Sequence, residues 1–220
     1  MLEIGDWYQP KLSRTKHGNE EVGEFWTARD DAVGRKVRIQ RQKPTRAQLL
    51  AATDRTVPDV IGHELRVLFC GINPGLYSAW AGHHFARPGN RFWPALYASG
   101  FTERLLQPDE EHELLRAGYG ITNLVERATI GSGELSREEL RAGGRVFVNK
   151  VRQYRPRAVA ILGVMAYRTA FDCPSAKVGA HQQRMAGALV WVLPNPSGLN
   201  AHFTPPALAQ LFREFRLKLT

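Results

Sequence analysis

Three continuous apolar runs of strand length constrain this chain more than any other feature. They are the run within ELRVLFCGIN from Glu64, RAVAILG at 157–163 and ALVWVLP at 188–194. Each ends in glycine or proline, and none needs a polar face, as expected of strands buried on both sides in a parallel sheet. Helical signals lie between and after them. Asn90 can cap a helix over Arg91 to Ser99 that stops at Gly100. Ser136 and Glu139 have capping-box spacing before a helix running toward Tyr154. Gly143 and Gly144 inside that helix predict close packing or a bend. A short helix is expected through Tyr167 to Phe171. The last helix starts near Thr204 with Pro205 and Pro206 in its first turn, and Leu208, Leu211, Phe212, Phe215 and Leu219 form its apolar stripe. Alternating strands and helices imply an α/β fold, a three-layer α/β/α arrangement around a central, mostly parallel sheet.

The 220 residues suit one compact domain with an extension. Residues 1–42 read as an N-terminal extension, 43–63 as a basic linker, and 64–220 as the main domain. Thr45 can cap a short helix inside the linker. The net charge is +9, and residues 64–220 carry 19 basic against 12 acidic side chains. This balance suits a polyanionic partner such as nucleic acid, or simple solubility. The stretch 35–46, RKVRIQRQKPTR, has six basic residues and no acidic one. It is either an electrostatic arm for a phosphate backbone or a solvated connector. Two cysteines, Cys70 and Cys173, without a CxxC or a Cys/His cluster, predict neither a disulfide framework nor structural zinc. The first residues lack the apolar run of a secretory signal, and no long apolar stretch suggests a membrane span. A cytoplasmic location is expected, with neither cofactor nor metal.

Two motifs directly follow two of the strands. Gly71-Ile72-Asn73-Pro74-Gly75 predicts a type II turn, with Gly75 supplying the positive φ. Pro194-Asn195-Pro196-Ser197-Gly198-Leu199-Asn200 predicts a loop whose short polar groups can approach a ligand. If the strands are parallel, both motifs lie on the carboxyl edge of the sheet and share one cleft. A third stretch, Gly82 to Trp93, is dense in aromatics and donors. Phe85 in it can stack on a flat base, whereas Phe92 and Trp93 read as core. His83 and His84 read as polar loop residues rather than metal ligands. Neither a Walker A loop nor a dinucleotide fingerprint is present.

Taken in order, GINPGLYSAWAGHHFARPGNRFW, YGITNLVERAT, ELSREELRAGGR and LPNPSGL resemble the mismatch-specific uracil-DNA glycosylase and thymine-DNA glycosylase family. The resemblance runs from about Leu65 to Leu219. KPTRAQLLAATDRTVPDVI is similar to the segment before the catalytic domain in the thymine-acting branch. The resemblance implies the uracil-DNA glycosylase fold and a monomer acting on double-stranded DNA that contains a mismatched or damaged base. It makes Asn73 the residue that positions the attacking water and Phe85 the ring that stacks on the flipped base. It assigns the pyrimidine pocket to Gly71, Ile72, Ser78, His84, Phe85, Asn90 and Asn123. It also makes Asn195, Ser197, Gly198, Leu199 and Asn200 the loop that enters the duplex, with Leu199 as wedge. GHHF and TNLVERAT look like the thymine-acting branch, NPSGL like the bacterial uracil branch. Ser78 stands where thymine-acting members typically carry alanine, which points away from thymine. Asn123 stands where the bacterial branch can carry lysine.

These residue types fit the implied chemistry. A target base must leave the helix, and an aromatic face offsets part of the lost stacking. An apolar wedge fills the vacated space. A side-chain amide orients water but cannot take its proton, so the departing base must be stabilised mainly by fixed N–H donors. Two other readings stay open from sequence alone: a nucleic-acid-binding domain without catalysis, and a phosphate- or nucleotide-binding enzyme using the glycine turns.

Overall fold

The computed structural model describes residues 25–30, 36–41, 43–200 and 202–219. The chain divides into two compact units, Met1–Pro44 and Thr45–Thr220. In the first, β1 (Phe25–Asp30) and β2 (Lys36–Arg41) pair antiparallel, Phe25 opposite Arg41. The remaining backbone of the extension lies outside the described residues, as do Arg35, Gln42 and the side chains of residues 36–41 in the basic arm.

The second unit holds the sheet that the apolar runs predict. Its strands are β3 (Val67–Gly71), β4 (Tyr119–Asn123), β5 (Ala158–Leu162), β6 (Gly179–Met185) and β7 (Ala188–Leu193), in the order β4-β3-β5-β7-β6. All neighbours are parallel except β6, which pairs antiparallel with β7. β3, β4 and β5 are buried along their whole length, because helices cover both faces. On one face α3 (Phe92–Ala98), α4 (Glu113–Arg116) and α7 (Pro205–Leu217) pack against Val67, Phe69, Ala160 and Leu193. On the other, α5 (Arg137–Tyr154) and α6 (Val164–Ala170) pack against Leu68, Cys70, Ile161 and Val190. Phe69 is the centre of the first core. The rings of Phe92, Phe101, Tyr119, Phe212 and Phe215 surround it at centroid distances of 5.3 to 6.4 Å, mostly edge to face.

Local signals explain the helix ends. Ser136 Oγ accepts from Glu139 N–H and Glu139 answers to Ser136 N–H, a complete capping box. Thr204 accepts from Ala207 N–H, and two prolines occupy the first turn of α7. Leu208, Phe212 and Phe215 are buried, and Leu211 and Leu219 pack beside them, as the stripe predicts. Asn90 is not the cap of α3. Arg91 holds that position, although Asn90 Oδ1 still accepts from Phe92 N–H.

Two strands have no clear signal in the sequence. β4 reads Tyr-Gly-Ile-Thr-Asn and is too polar to stand out, while β6 is an edge strand with only its last residue buried. Ala186 and Gly187, both at positive φ, join β6 to β7 in a tight hairpin turn. The segment read as a linker also packs on the second unit from Thr45 onward. Thr45 and Gln48 form a capping box on α1 (Arg46–Leu50). Ala52 and Val57 join a small core with α2 (Leu76–Ala81) and Ala128, and Val60 bridges Ile121.

Gly143 and Gly144 allow α5 to sit directly on neighbouring backbone. A Cβ on Gly143 would fall 2.2 Å from the Leu124 carbonyl oxygen, and one on Gly144 2.5 Å from that of Ala170. Gly143→Ala is therefore expected to destabilise the protein by about 1–3 kcal/mol through overpacking. Gly133→Ala, with open space around it, is the control and leaves the midpoint near wild type. Urea unfolding of both variants measures the difference.

Candidate active site

The carboxyl ends of β3, β4, β5 and β7 open into one cleft of about 680 Å³. Both strand-following motifs line it, as the parallel assignment requires. Gly71, Ile72, Asn73, Ser78, His84, Phe85, Asn90, Asn123, Asn195, Ser197, Leu199 and Asn200 all contribute to its wall. Gly198 supports the wall from behind. A Cβ there would meet the Gly89 carbonyl oxygen at 2.5 Å, so the last loop docks on the Gly82 to Trp93 stretch only because residue 198 is glycine.

The turn after β3 is not type II. Gly75 has φ −77° and ψ 159° and is the N-cap of α2. The chain passes from strand to helix through Asn73-Pro74-Gly75, so no positive φ is needed. This tight passage brings the Asn73 amide against the segment that follows β4. Asn73 Nδ2 donates to Thr129 Oγ1 at 2.7 Å, to Arg127 O at 3.1 Å and to Pro74 O at 3.2 Å. With the nitrogen committed, Oδ1 is left as the functional face, and among the described residues nothing donates to it. Thr129 is buried, and its hydroxyl donates onward to Gly131 O. The Arg127 side chain ties the same segment to Glu139 at the start of α5, 2.6 Å away. Beside this guanidinium the Glu139 carboxyl is pushed down to about 2. The capping box of α5 thus helps hold the peptide that aims Asn73. Thr129 and Arg127 were quoted in sequence motifs without a role. Only the fold shows what they do.

Opposite Asn73, Phe85 stacks on Phe92 with centroids 4.1 Å apart and planes at 27°. Phe92 is itself in edge contact with Phe69, so the site ring is buttressed by the core. Phe85 has φ +53°, an uncommon conformation for a bulky residue. Three contacts hold it there. Ser78 Oγ accepts from Ala86 N–H at 3.1 Å, the buried Glu111 accepts from His84 N–H at 2.8 Å, and Trp93 Nε1 donates to His84 O. Glu111 also meets His83 Nδ1 at 3.0 Å. Gly71 completes this corner. A Cβ on it would lie 2.3 Å from Asn123 Oδ1 and 3.3 Å from the Phe85 ring.

The remaining wall is the 194–200 loop. Asn195 Oδ1 accepts from Ser197 N–H, Asn200 Nδ2 donates to Asn195 O, and Asn200 Oδ1 accepts from His202 N–H. Arg91 was not singled out in the sequence, yet it clamps the loop. Its guanidinium donates to the carbonyls of Ser197, Asn200 and Phe203. Leu199 is 72% exposed at the loop's tip and is not tucked beneath it. Ile130 and Met165 are each 68% exposed and line the same cleft, so three large apolar side chains ring one mouth.

Among the described residues no aspartate or glutamate lines the cleft, and Arg87 is a basic member of its wall. Among the described residues no cluster of three or more metal-ligating side chains occurs. Cys70, one residue before Gly71, is fully buried, and burial pushes its thiol well above the usual range. It is not a nucleophile. The arrangement can hold a flat ring on Phe85, orient a water at Asn73 and present a neutral-to-positive mouth to a polyanion.

A family model of the uracil DNA glycosylase superfamily matches residues 58–218. A solution NMR structure from Methanosarcina acetivorans, a candidate uracil DNA glycosylase, aligns with 18% identity and a TM-score of 0.48, covering 74% of this chain and 98% of that one.

If Arg91 clamps the loop, Arg91→Ala should release the three carbonyls while sparing the sheet. Hydrogen exchange at the amides of Asn200 and His202 is expected to quicken, with β3 and β5 unchanged. The whole protein should lose about 1–3 kcal/mol in urea unfolding, the scale of charge-assisted bonds left unmade. Unchanged exchange at 200–202 would exclude the clamp.

Proposed function

The chain belongs to the uracil DNA glycosylase superfamily, and from that premise we propose that it hydrolyses the N-glycosidic bond of uracil and related damaged bases, chiefly in G·U mismatches of duplex DNA, as the first step of base excision repair. Glycosylase-type action on DNA follows from the family. The mismatch preference and the residue roles are this proposal's own. The observation that carries it is the Asn73 amide, fixed by three hydrogen bonds with Oδ1 unclaimed, in one cleft with the Phe85 ring and the exposed Leu199.

In this reading the target nucleotide turns out of the duplex and its base lies on Phe85. Leu199 fills the gap left in the stack, with Ile130 and Met165 against the flanking nucleotides. Asn73 Oδ1 accepts a hydrogen bond from the attacking water and aligns its lone pair with the anomeric carbon. The glycosidic bond breaks early, leaving an oxocarbenium-like sugar that a weakly activated water can attack. The leaving base carries the bond's electron pair as an anion that the backbone at Ile72 and Phe85 stabilises, and the proton lost by the water on attack is taken up by this departing base or by solvent. Among the described residues no carboxylate lines the cleft to strengthen the water, so the enzyme suits bases that depart readily. Ser78 is buried beside Phe85 and fills part of the pocket wall, which supports uracil over the bulkier thymine. A domain that only binds DNA would have no use for an amide held so tightly with its oxygen unclaimed. A phosphate-handling enzyme would be expected to place a lysine in the cleft, and none lines it.

A labelled duplex with a single G·U pair, treated with protein and then alkali, tests the activity. Strand cleavage is expected, and its absence would reject the proposal. Asn73→Ala should keep duplex binding and slow single-turnover excision about 10²- to 10³-fold, the scale of losing one preorganised polar group.

Leu199→Ala separates wedge from scaffold. The side chain is exposed, so the melting temperature should hold. Excision from duplex should slow roughly tenfold more than from single strands, because only the duplex requires a base to be unstacked from a partner. Equal slowing on both substrates would remove the wedge role.

A further inference from the structure

A second cavity lies at the opposite edge of the sheet. Arg66 directly precedes β3 and Tyr119 opens β4. With the 100–106 segment, α4 and Arg216 of α7 they enclose about 800 Å³, the size of a small-molecule site. It shares no lining residue with the cleft described above. Phe101, Leu106, Leu114 and Tyr119 give it an apolar floor. Four arginines and two glutamates line its wall. Two of the arginines are matched by acids: Arg104 pairs with Glu110 at 2.9 Å and Arg116 with Glu113 at 2.8 Å. The other two are not. Among the described residues the Arg66 guanidinium has no hydrogen-bond or ion-pair partner, and it lies over the Tyr119 ring, 5.6 Å from the centroid. Arg216 Nε donates to Ser99 O at 2.8 Å, and its terminal nitrogens have no partner among the described residues. Both side chains are nevertheless held in place. Gly118, at φ +79°, lies against the Arg66 stem, where a Cβ would be 3.1 Å from Cγ. Gly100, at φ +80°, lies against the Arg216 guanidinium, where a Cβ would be 3.3 Å from Nε. Ordering a long side chain costs rotamer entropy, and no acid offsets that cost here. Thr102 in the same wall is also unsatisfied: its hydroxyl oxygen is shielded from solvent and bonds to nothing among the described residues. Ordered donors without partners, gathered on one cavity, are what a bound anion would complete.

We propose that this cavity is a second ligand site, in which Arg66 and Arg216 hold a phosphate monoester whose organic body lies on the apolar floor. Two unmatched guanidinium groups suit a group with nearly two negative charges and three terminal oxygens better than a single carboxylate. Glu103 is the remaining acid of the wall. It is exposed, so solvent screens it from the anion. A nucleotide has the required parts, either free or as the phosphorylated end of a DNA strand. The site is independent of the base-excision reading, since it lies at the amino ends of the strands whose carboxyl ends form the cleft.

The test is titration of the full chain with deoxyadenosine 5′-monophosphate, followed by amide NMR. The resonances of Gly100, Thr102 and Gly118 are expected to shift saturably, and their position separates this site from any binding in the cleft. Deoxyadenosine, which lacks the phosphate, should bind there about tenfold more weakly or less, the scale of losing one charge-assisted hydrogen bond. Arg66→Gln should weaken the nucleotide by a similar factor. Its guanidinium touches no acid, so the fold should hold. Arg216→Gln should weaken it as well and is the second route to the same reading. A 5′-phosphorylated tetranucleotide distinguishes the sources of the phosphate. Binding as tight as the mononucleotide's supports a strand end as the ligand, and exclusion of the tetranucleotide supports a free nucleotide. Absence of saturable shifts at the three amides with the mononucleotide overturns the proposal. So does deoxyadenosine or succinate binding there as tightly as the mononucleotide, or wild-type affinity in a folded Arg66→Gln or Arg216→Gln variant.

Discussion

The site depends first on the parallel register of β3 and β4, which sets Gly71 opposite Asn123 at the carboxyl edge of the sheet. Parallel strands end on the same side, so their following loops converge there without further design. What makes the convergence tight is a missing atom. With no Cβ on Gly71, the Asn123 amide and the Phe85 ring approach the strand end closely enough to share one corner. The same device recurs at Gly143 under α5 and at Gly198 under the exposed loop. Each glycine stands where a backbone oxygen or a site side chain takes the place of a side chain.

From that corner the supports divide by chemistry. The flat surface of the site is held by packing: Phe85 lies on Phe92, and Phe92 lies against Phe69 at the centre of the larger core. Its backbone conformation is unfavourable for a bulky residue and persists because the core and the bonds from Ser78 and Glu111 over-determine it. The polar side of the site is held by hydrogen bonds instead. Asn73 is aimed by Thr129 and by the Arg127 carbonyl, and Arg127 is in turn tied to the capping box of α5. The water-orienting role proposed for this amide needs such rigidity, since an amide free to rotate offers donor and acceptor without preference.

The mouth is built differently again. The 194–200 loop satisfies its own backbone through Asn195 and Asn200 and is pinned from outside by Arg91. Its internal groups are thereby occupied, and it projects Leu199 into solvent. Exposing Leu199, Ile130 and Met165 around one cleft has no benefit for the isolated protein. It has one if the cleft is closed by a partner with apolar faces and a charged backbone, which describes a nucleic-acid duplex.

The sequence by itself determined the layered α/β fold, three of the four parallel strands, the starts of α1, α5 and α7, and the sharing of one cleft by the Gly71–Gly75 and Pro194–Asn200 motifs. Those features rest on local patterns: apolar runs, caps and turn residues within a few positions of one another. It also singled out Asn73, Phe85 and Leu199, which the fold brings to one cleft. It did not reveal β4 and β6, because a strand with glycine, threonine and asparagine, or a polar edge strand, becomes legible only through its partner. It misread Gly75 as a turn residue with positive φ, since the same Pro-Gly pair can start a helix. Tertiary structure alone decided what Thr129, Arg127, Glu111 and Arg91 hold in place. Most of these contacts join residues far apart in the chain, from the 12 positions between Arg127 and Glu139 to the 112 between Arg91 and Phe203. Their geometry is set by the packing of the sheet and helices between them, and no local pattern encodes it.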